Sequence, residues 1–214
     1  MKRSLSGNPS KRDELRTALH QRILRGDYAS GTPLRQIPLA REFGVAQSVV
    51  REILQELDYH GLVRSVENVG VFVRELGVEQ LLQAYQVREM FEGLAARLCC
   101  QYASRADVQW LERMAERIHA ASFTDPPEER GELEQQFHFR FVELSHNETL
   151  ERLSYGYRFL GNLVVTDRDR DELLREHVAM VRAVADNQPE EAERLARAHV
   201  RLSAEAIAAR QGEG

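Results

Sequence analysis

Apolar positions change their period twice along this chain, and the changes predict its organisation. Between residues 34 and 74, LAREF has the spacing of a short helix, and Gly44 stands where a left-handed C-cap would end it. Val50, Ile53, Leu54 and Leu57 then recur at three- and four-residue spacing, predicting a second helix with one apolar face, stopped by Gly61. LVRSV and VGVFV alternate or run apolar on either side of Glu67-Asn68, as two short strands of a hairpin do. Helix, sharp turn, helix and hairpin in about forty residues is a helix-turn-helix with a wing, a module whose second helix enters the major groove of DNA.

From residue 77 onward only helical periodicity is found. The pattern predicts six helices: residues 78–103, Ala106 to Ala121, Glu128 to Leu144, Glu148 to about Val165, Asp167 to Ala185, and Glu190 to Ala209. Asp125-Pro126-Pro127, His146-Asn147 and Asp186-Asn187-Gln188-Pro189 mark turns between them. The expected fold is mainly α, an N-terminal winged helix-turn-helix followed by an all-α six-helix bundle. Residues 1–10 read as a flexible N-terminal arm, 11–75 as the DNA-binding domain, and 77–211 as the helical domain.

Charge sharpens this division. Residues 1–74 hold 12 Lys and Arg against 8 Asp and Glu, a net of +4, whereas the rest of the chain holds 17 against 26, a net of −9. The basic part is the one with the helix-turn-helix, as phosphate binding requires. Cys99 and Cys100 are adjacent in a helical segment and read as core residues in a reducing compartment. No signal peptide and no apolar run of spanning length is evident, which predicts a cytoplasmic protein without a membrane partner. The charged run TDRDRDELLRE reads as a solvated helix start.

Gln47, Ser48 and Arg51 lie near the start of the second helix, off its apolar face. Glutamine pairs with adenine edges, serine bonds a base or a phosphate, and arginine takes guanine or a phosphate bidentately. Arg35, ahead of the first of these helices, and Asn68 and Gly70, in the hairpin, complete the candidate contacts with double-stranded operator DNA. The plain alternative is a small α/β module with a solvated polar face.

Candidate chemistry in the helical domain concentrates in five of the seven histidines: His119, His138, His146, His177 and His199. Glu134 and His138, four apart, share one helix face beside Phe137 and Phe141. A tight turn makes the fifth and sixth helices antiparallel neighbours, bringing His177 and His199 to one level of the bundle. Three histidines and a carboxylate on three helices can hold a divalent metal ion, with zinc, nickel or manganese the candidates. Such a site would weaken below about pH 6, where histidines protonate. The alternative is ordinary core histidines and a simple i,i+4 pair. His146 reads as a capping residue, and His119, late in its helix, as a complement to the dipole.

The first region resembles the winged helix-turn-helix of the GntR superfamily of bacterial transcription regulators. The resemblance rests on LRTALHQRILRGDY, GTPLRQIPLA, FGVAQSVVREILQEL, HGLV and VENVGVFV. Members commonly carry Ser-Arg-Thr-Pro before Val-Arg-Glu, and here Ala46, Gln47, Ser48 and Val49 stand in those places, so an arginine that often touches DNA is a glutamine. The second region resembles the FCD effector domain of the FadR-like branch through VREMFEGLAARL, QQFHFRFVELSHNETL and REHVAMVRAVADNQPEEAERLARAHV, with six helices pointing to the VanR-like subgroup. That resemblance puts metal ligands at Glu134, His138, His177 and His199. The family's aspartate is Glu134 here, whose longer arm shifts the ion or permits bidentate binding. It also implies a small carboxylate effector gripped at its far end by Arg88. The plain alternative for Arg88 is an i,i+4 pair with Glu92.

The reading is a ligand-responsive transcription regulator, a repressor acting as a homodimer on a pseudo-palindromic operator. Two rivals remain: a helical metallohydrolase using the His and Glu cluster, and a regulator whose second domain only dimerises.

Overall fold

The computed structural model describes residues 10–24, 27–59, 61–74, 77–158 and 168–209, and the chain separates into two compact units, residues 1–75 and 76–214. The expected N-terminal arm lies almost wholly outside the described residues.

The first unit comprises α1 (Lys11–Leu24), α2 (Gln36–Phe43), α3 (Gln47–Tyr59), β1 (Val63–Val66) and β2 (Gly70–Val73). Ser10 caps α1, its Oγ accepting from the Asp13 amide at 3.2 Å. Gly44 ends α2 at φ 62°, ψ 40°, and its amide donates to the Ala40 carbonyl. This left-handed turn lets α3 start three residues later at a sharp angle, the geometry that defines a helix-turn-helix. α3 packs against α1, α2 and β1, and buries Val50, Ile53, Leu54 and Leu57, while Leu15, Leu19, Leu39 and Leu62 are buried in the same unit. Burying a side chain of this size contributes about 1.5–3 kcal/mol. β1 and β2 pair antiparallel with Val63 opposite Val73 and Val66 opposite Gly70. Asn68 turns the hairpin at φ 58°, in the left-handed region asparagine tolerates. Residues 32–34 extend the wing: the Leu34 amide donates to the Val71 carbonyl at 2.8 Å, and the Val73 amide to the Thr32 carbonyl at 2.9 Å.

The second unit is the helical bundle, α4 (Val78–Tyr102), α5 (Arg105–Thr124), α6 (Pro127–Leu144), α7 (Glu148–Arg158), α8 (Arg170–Ala185) and α9 (Pro189–Ala209). Its helix starts follow local chemistry. Ser104 and Asp107 form a capping box on α5. Pro127 opens α6. Asn147 Oδ1 accepts from the Leu150 amide at 3.0 Å, and Asp169 from the Glu172 amide at 2.8 Å. α4 and α9 pack along their lengths. A Cβ at Gly93 would stand 2.7 Å from the Arg197 side chain, so glycine is what permits the approach. Ala95, Ala96, Leu111, Ala115, Phe137, Met180 and Ala192 fill the centre.

On α4, Leu81, Ala84, Tyr85, Ala95, Ala96 and Cys99 are buried, whereas Met90 and Leu94 are 53% and 38% exposed. Several expectations change. The span expected for α7 continues past Arg158 into residues outside those described. Asn147, not His146, does the capping; His146 takes φ 50° and its ring lies 4.9 Å from that of Tyr102. His119 does not end at its own helix terminus but bonds across to Asp171 Oδ1 at 2.7 Å. Arg168, in the run read as solvated, is a buried side chain bonded to Glu176.

Candidate metal centre and DNA-reading face

Three helices of the bundle deliver the histidines to one point. α6 carries Glu134 and His138 one turn apart, α8 carries His177 and α9 carries His199. One ligand nitrogen from each histidine lies within 4.8 Å of the others. The ring centroids are separated by 4.8 Å between His138 and His199, 4.8 Å between His177 and His199, and 5.5 Å between His138 and His177. Glu134 Oε2 lies 3.6 Å from His138 Nε2 and 3.4 Å from His177 Nε2. The carboxylate and the imidazoles therefore face one shared space. Phe137, fully buried, closes its inner side with its ring 4.4 Å from that of His177.

Outer partners fix two of the three rings. His138 Nδ1 faces Glu92 Oε2 at 2.9 Å, leaving Nε2 turned inward. His199 Nδ1 pairs with Glu176 Oε2 at 2.7 Å. Each of these carboxylates is held in turn by an arginine: Glu92 by Arg88 at 2.7 Å, and Glu176 by Arg168, which also reaches Ser203 Oγ at 3.3 Å. This is the arrangement that orients metal-ligating imidazoles and raises their basicity. Sequence reasoning treated Glu92 only as a helical neighbour of Arg88, and missed Arg168. A carboxylate four residues from an arginine carries no signal that it also spans to another helix.

Burial and the neighbouring carboxylates drive the three imidazoles of the cluster in opposite directions. His177 is fully buried, and neither ring nitrogen has a hydrogen-bond partner among the described residues. Leaving a buried polar atom unpaired costs about 1–3 kcal/mol. Burial pushes the His177 imidazole down to about 3, against the pull of Glu134 and with the help of His199 and His138. Burial also depresses His199. His138 behaves oppositely: Glu92 and Glu134 outweigh its burial and hold it protonated up to about 9. Burial disfavours the Glu134 carboxylate, yet the surrounding imidazoles keep it ionised down to about 2. One carboxylate facing three imidazoles, one of them with both nitrogens orphaned, fits a divalent cation. Arg88 is buried against Glu92 and lies over the Tyr85 ring at 4.6 Å, the engaged state of the plain i,i+4 alternative.

On the first unit, Gln47, Ser48 and Arg51 are exposed at the N-terminal end of α3, opposite its buried face. Gln47 Nε2 donates to Gln36 Oε1 at 3.1 Å, which ties it to the first turn of α2. Arg35, Asn68 and Gly70 are exposed as well. Other arginines of this unit are spent on carboxylates: Arg12 with Glu52 and Glu56, Arg16 with Asp13 and Glu56, Arg22 with Glu42. Arg35 and Arg51 have no such pair among the described residues, so their charge is free for an anionic partner.

Comparison with known proteins agrees with this division. Residues 11–73 match the model of the bacterial regulatory proteins of the gntR family, and residues 83–202, more than half the chain, match the FCD domain. The HTH-type transcriptional regulator YdhC of Bacillus subtilis is 28% identical over 187 residues, covering 85% of this chain and 84% of that protein. The "Probable D-xylose utilization operon transcriptional repressor" of Paenarthrobacter nicotinovorans is 28% identical over 201 residues, with 87% and 84% covered. The solved structure of Escherichia coli McbR/YncC superposes with a TM-score of 0.75 at 17% identity, covering 95% of this chain and all of that one, which shows the fold. No described helix is long and apolar enough to cross a membrane. With a winged helix-turn-helix and an FCD domain in one chain, the protein belongs to the GntR family of bacterial transcription regulators.

Proposed function

We propose that this regulator is a repressor that binds a pseudo-palindromic operator as a homodimer and releases it in response to a small carboxylate. In this reading residues 11–75 bind DNA, residues 77–211 sense the effector and dimerise, and residues 1–10 form a loose arm. A single short α3 reads few bases, so two copies supply the length of a specific site. Arg51 and Gln47 read base edges or phosphates; Ser48, Arg35 and the wing residues Asn68 and Gly70 set position on the backbone.

The observation that carries the sensing half is the convergence of three histidine nitrogens within 4.8 Å around Glu134, with both His177 nitrogens unpartnered. Glu134, His138, His177 and His199 would hold a divalent ion, with zinc, nickel or manganese matching imidazole and carboxylate donors. Such an ion offers open coordination positions to a carboxylate. The chain's own part is to orient the imidazoles through Glu92 and Glu176 and to keep bulk water out with Phe137. Metal-assisted hydrolysis is the weaker reading: Glu92 and Glu176, the two carboxylates that back the cluster among the described residues, are both committed to histidines and so are not free to act as a general base.

Elemental analysis after metal-free purification and reconstitution tests this directly. One equivalent of zinc, nickel or manganese is expected, lost in His177→Ala. At free metal a hundred times the dissociation constant, the stabilisation should be about 2.7 kcal/mol. No uptake by a folded protein overturns the sensing half and leaves a bundle that only dimerises.

A further inference from the structure

We infer that Gln36 and Gln47 act as one amide pair, and that this pair selects an A·T base pair in each half of the operator. Gln47 would read the adenine edge, and Gln36 would set the direction in which the Gln47 amide faces. This rests on the DNA-binding reading above.

Gln36 is the first residue of α2 and Gln47 the first of α3. Neither side chain competes with a cap. Arg35, ahead of α2, makes no side-chain cap, and Ala46, ahead of α3, has no polar group to make one. Gln47 Nε2 donates to Gln36 Oε1 at 3.1 Å, joining the two helix starts across a separation of 11 residues. At an exposed place such a bond adds little stability. Its consequence is direction: it holds the Gln47 amide in one plane, so less side-chain freedom is lost when a base arrives.

The hydrogen-bond count then chooses the base. A primary amide has two N–H donors and one carbonyl acceptor. Gln36 takes one N–H of Gln47. The other N–H and Oε1 make no further bond among the described residues. One donor beside one acceptor complements adenine in the major groove, where N7 accepts and the N6 amine donates. Guanine offers two acceptors, O6 and N7, and would set one of them against Oε1. A bond running the other way, from Gln36 to Gln47 Oε1, would free both N–H groups of Gln47 and favour guanine. Gln36 keeps its own amide N–H groups. In a helix-turn-helix the first helix crosses the DNA backbone while the start of the second reaches the bases. Those N–H groups therefore suit a phosphate, which makes Gln36 a positioning residue. Arg35 and Arg51, both exposed, add phosphate attraction that is indifferent to sequence or a separate base contact, and neither fixes the base opposite Gln47.

Selection from duplexes with a random core, by the full-length protein without effector, tests this. Wild type, Gln47→Ala, Gln47→Arg, Gln36→Ala and Gln36→Glu are run in parallel. The position at which Gln47→Ala loses its preference is the one Gln47 reads. Wild type should favour adenine over guanine there by about tenfold or more, as a bidentate base contact does. Gln47→Arg should turn that preference to guanine. Gln36→Ala should cut the adenine preference by about fivefold, with preferences elsewhere and the melting temperature unchanged, a pattern that a merely structural role would not produce. Gln36→Glu keeps an acceptor for Gln47 but repels phosphate, so the adenine preference should survive while affinity falls for all sequences alike. Guanine or no preference at that position in the wild type, a Gln47→Ala profile identical to wild type, or an adenine preference untouched by Gln36→Ala overturns the inference and leaves DNA binding standing. Recovery of no preferred sequence by the folded wild type overturns both.

Discussion

The reading face of α3 and the histidine cluster place polar groups under opposite conditions. On α3, Gln47, Ser48 and Arg51 stand in water above a buried row of Val50, Ile53, Leu54 and Leu57. Their chemistry is available without any cost of desolvation, and their identity can change without touching the core. In the bundle, His177 and His199 are buried in the packed interior and Glu134, His138 and Glu92 are nearly so. There each polar group must be answered by another, and four carboxylate–imidazole contacts and two arginines supply most of the answer. Neither nitrogen of His177 makes a hydrogen bond among the described residues, although Glu134 Oε2 stands 3.4 Å from its Nε2. A surface site can thus be rewritten one residue at a time, whereas the buried site is a unit in which a substitution is felt by the fold.

The most severe way to test that contrast is to remove the packing around the buried site. Phe137 is fully buried, with its ring 4.4 Å from that of His177 and 5.3 Å from that of Phe141. Phe137→Ala should destabilise the protein by about 3–5 kcal/mol in denaturant titrations, as large-to-small changes in a packed core do. A loss under about 1 kcal/mol would mean that the site is already loosely packed.

Next in size is the exposed face. Arg51→Ala should weaken operator binding by about 1–3 kcal/mol at fixed salt, the worth of a bidentate base or phosphate contact. Its melting temperature should stay unchanged, because Arg51 makes no ion pair among the described residues. Undiminished affinity in a gel-shift titration would remove Arg51 from the reading set. A matching drop in stability would erase the distinction between the two regions.

The two regions also differ in how much of them the sequence disclosed. The three- and four-residue spacing of the α3 core, Gly44 at the helix end and Asn68 at the hairpin turn are local signals, and each element formed where they indicated. The histidines that converge were legible because helical spacing and a tight Asp186–Pro189 turn constrain them. What surrounds them was not. Glu92 reaches His138 from another helix, Arg168 reaches Glu176 from the segment before α8, and His119 meets Asp171 fifty-two residues away. Such partners depend on the rotation of one helix against another, which periodicity leaves undetermined. The exposed Met90 and Leu94 mark the same limit: the apolar stripe of α4 is broad, and neighbouring helices choose which part of it to cover.

A finer probe of the buried unit is Glu92→Gln, which keeps the shape but removes the charge behind His138. Loss of an outer carboxylate of this kind should lower metal affinity about 10–100-fold. Competition with a chelator of known affinity measures it, with circular dichroism to verify the helices. If zinc affinity is unchanged, Glu92 serves Arg88 alone and the oriented-imidazole argument fails for His138.

The gentlest test uses protons in place of mutations. The sequence alone suggested metal binding that weakens only below about pH 6. The structure moves the onset upward, because Glu92 and Glu134 keep His138 protonated up to about 9. A cation at Nε2 must displace that proton, so below about pH 9 binding releases it and affinity rises with pH. His177, depressed to about 3, is already unprotonated at neutral pH and adds no proton there. The expected slope is therefore near one proton, or up to about tenfold in affinity per pH unit between pH 7 and 9, worth ~1.4 kcal/mol. On the exposed face Gln47 and Ser48 carry no ionisable group, so operator affinity of the effector-free protein should vary less over the same range. Zinc titrations in buffers of different ionisation enthalpy read the proton count directly. A flat profile from pH 7 to 9 would show that His138 is already neutral in the folded protein, and that Glu92 and Glu134 do not grip it as their distances imply.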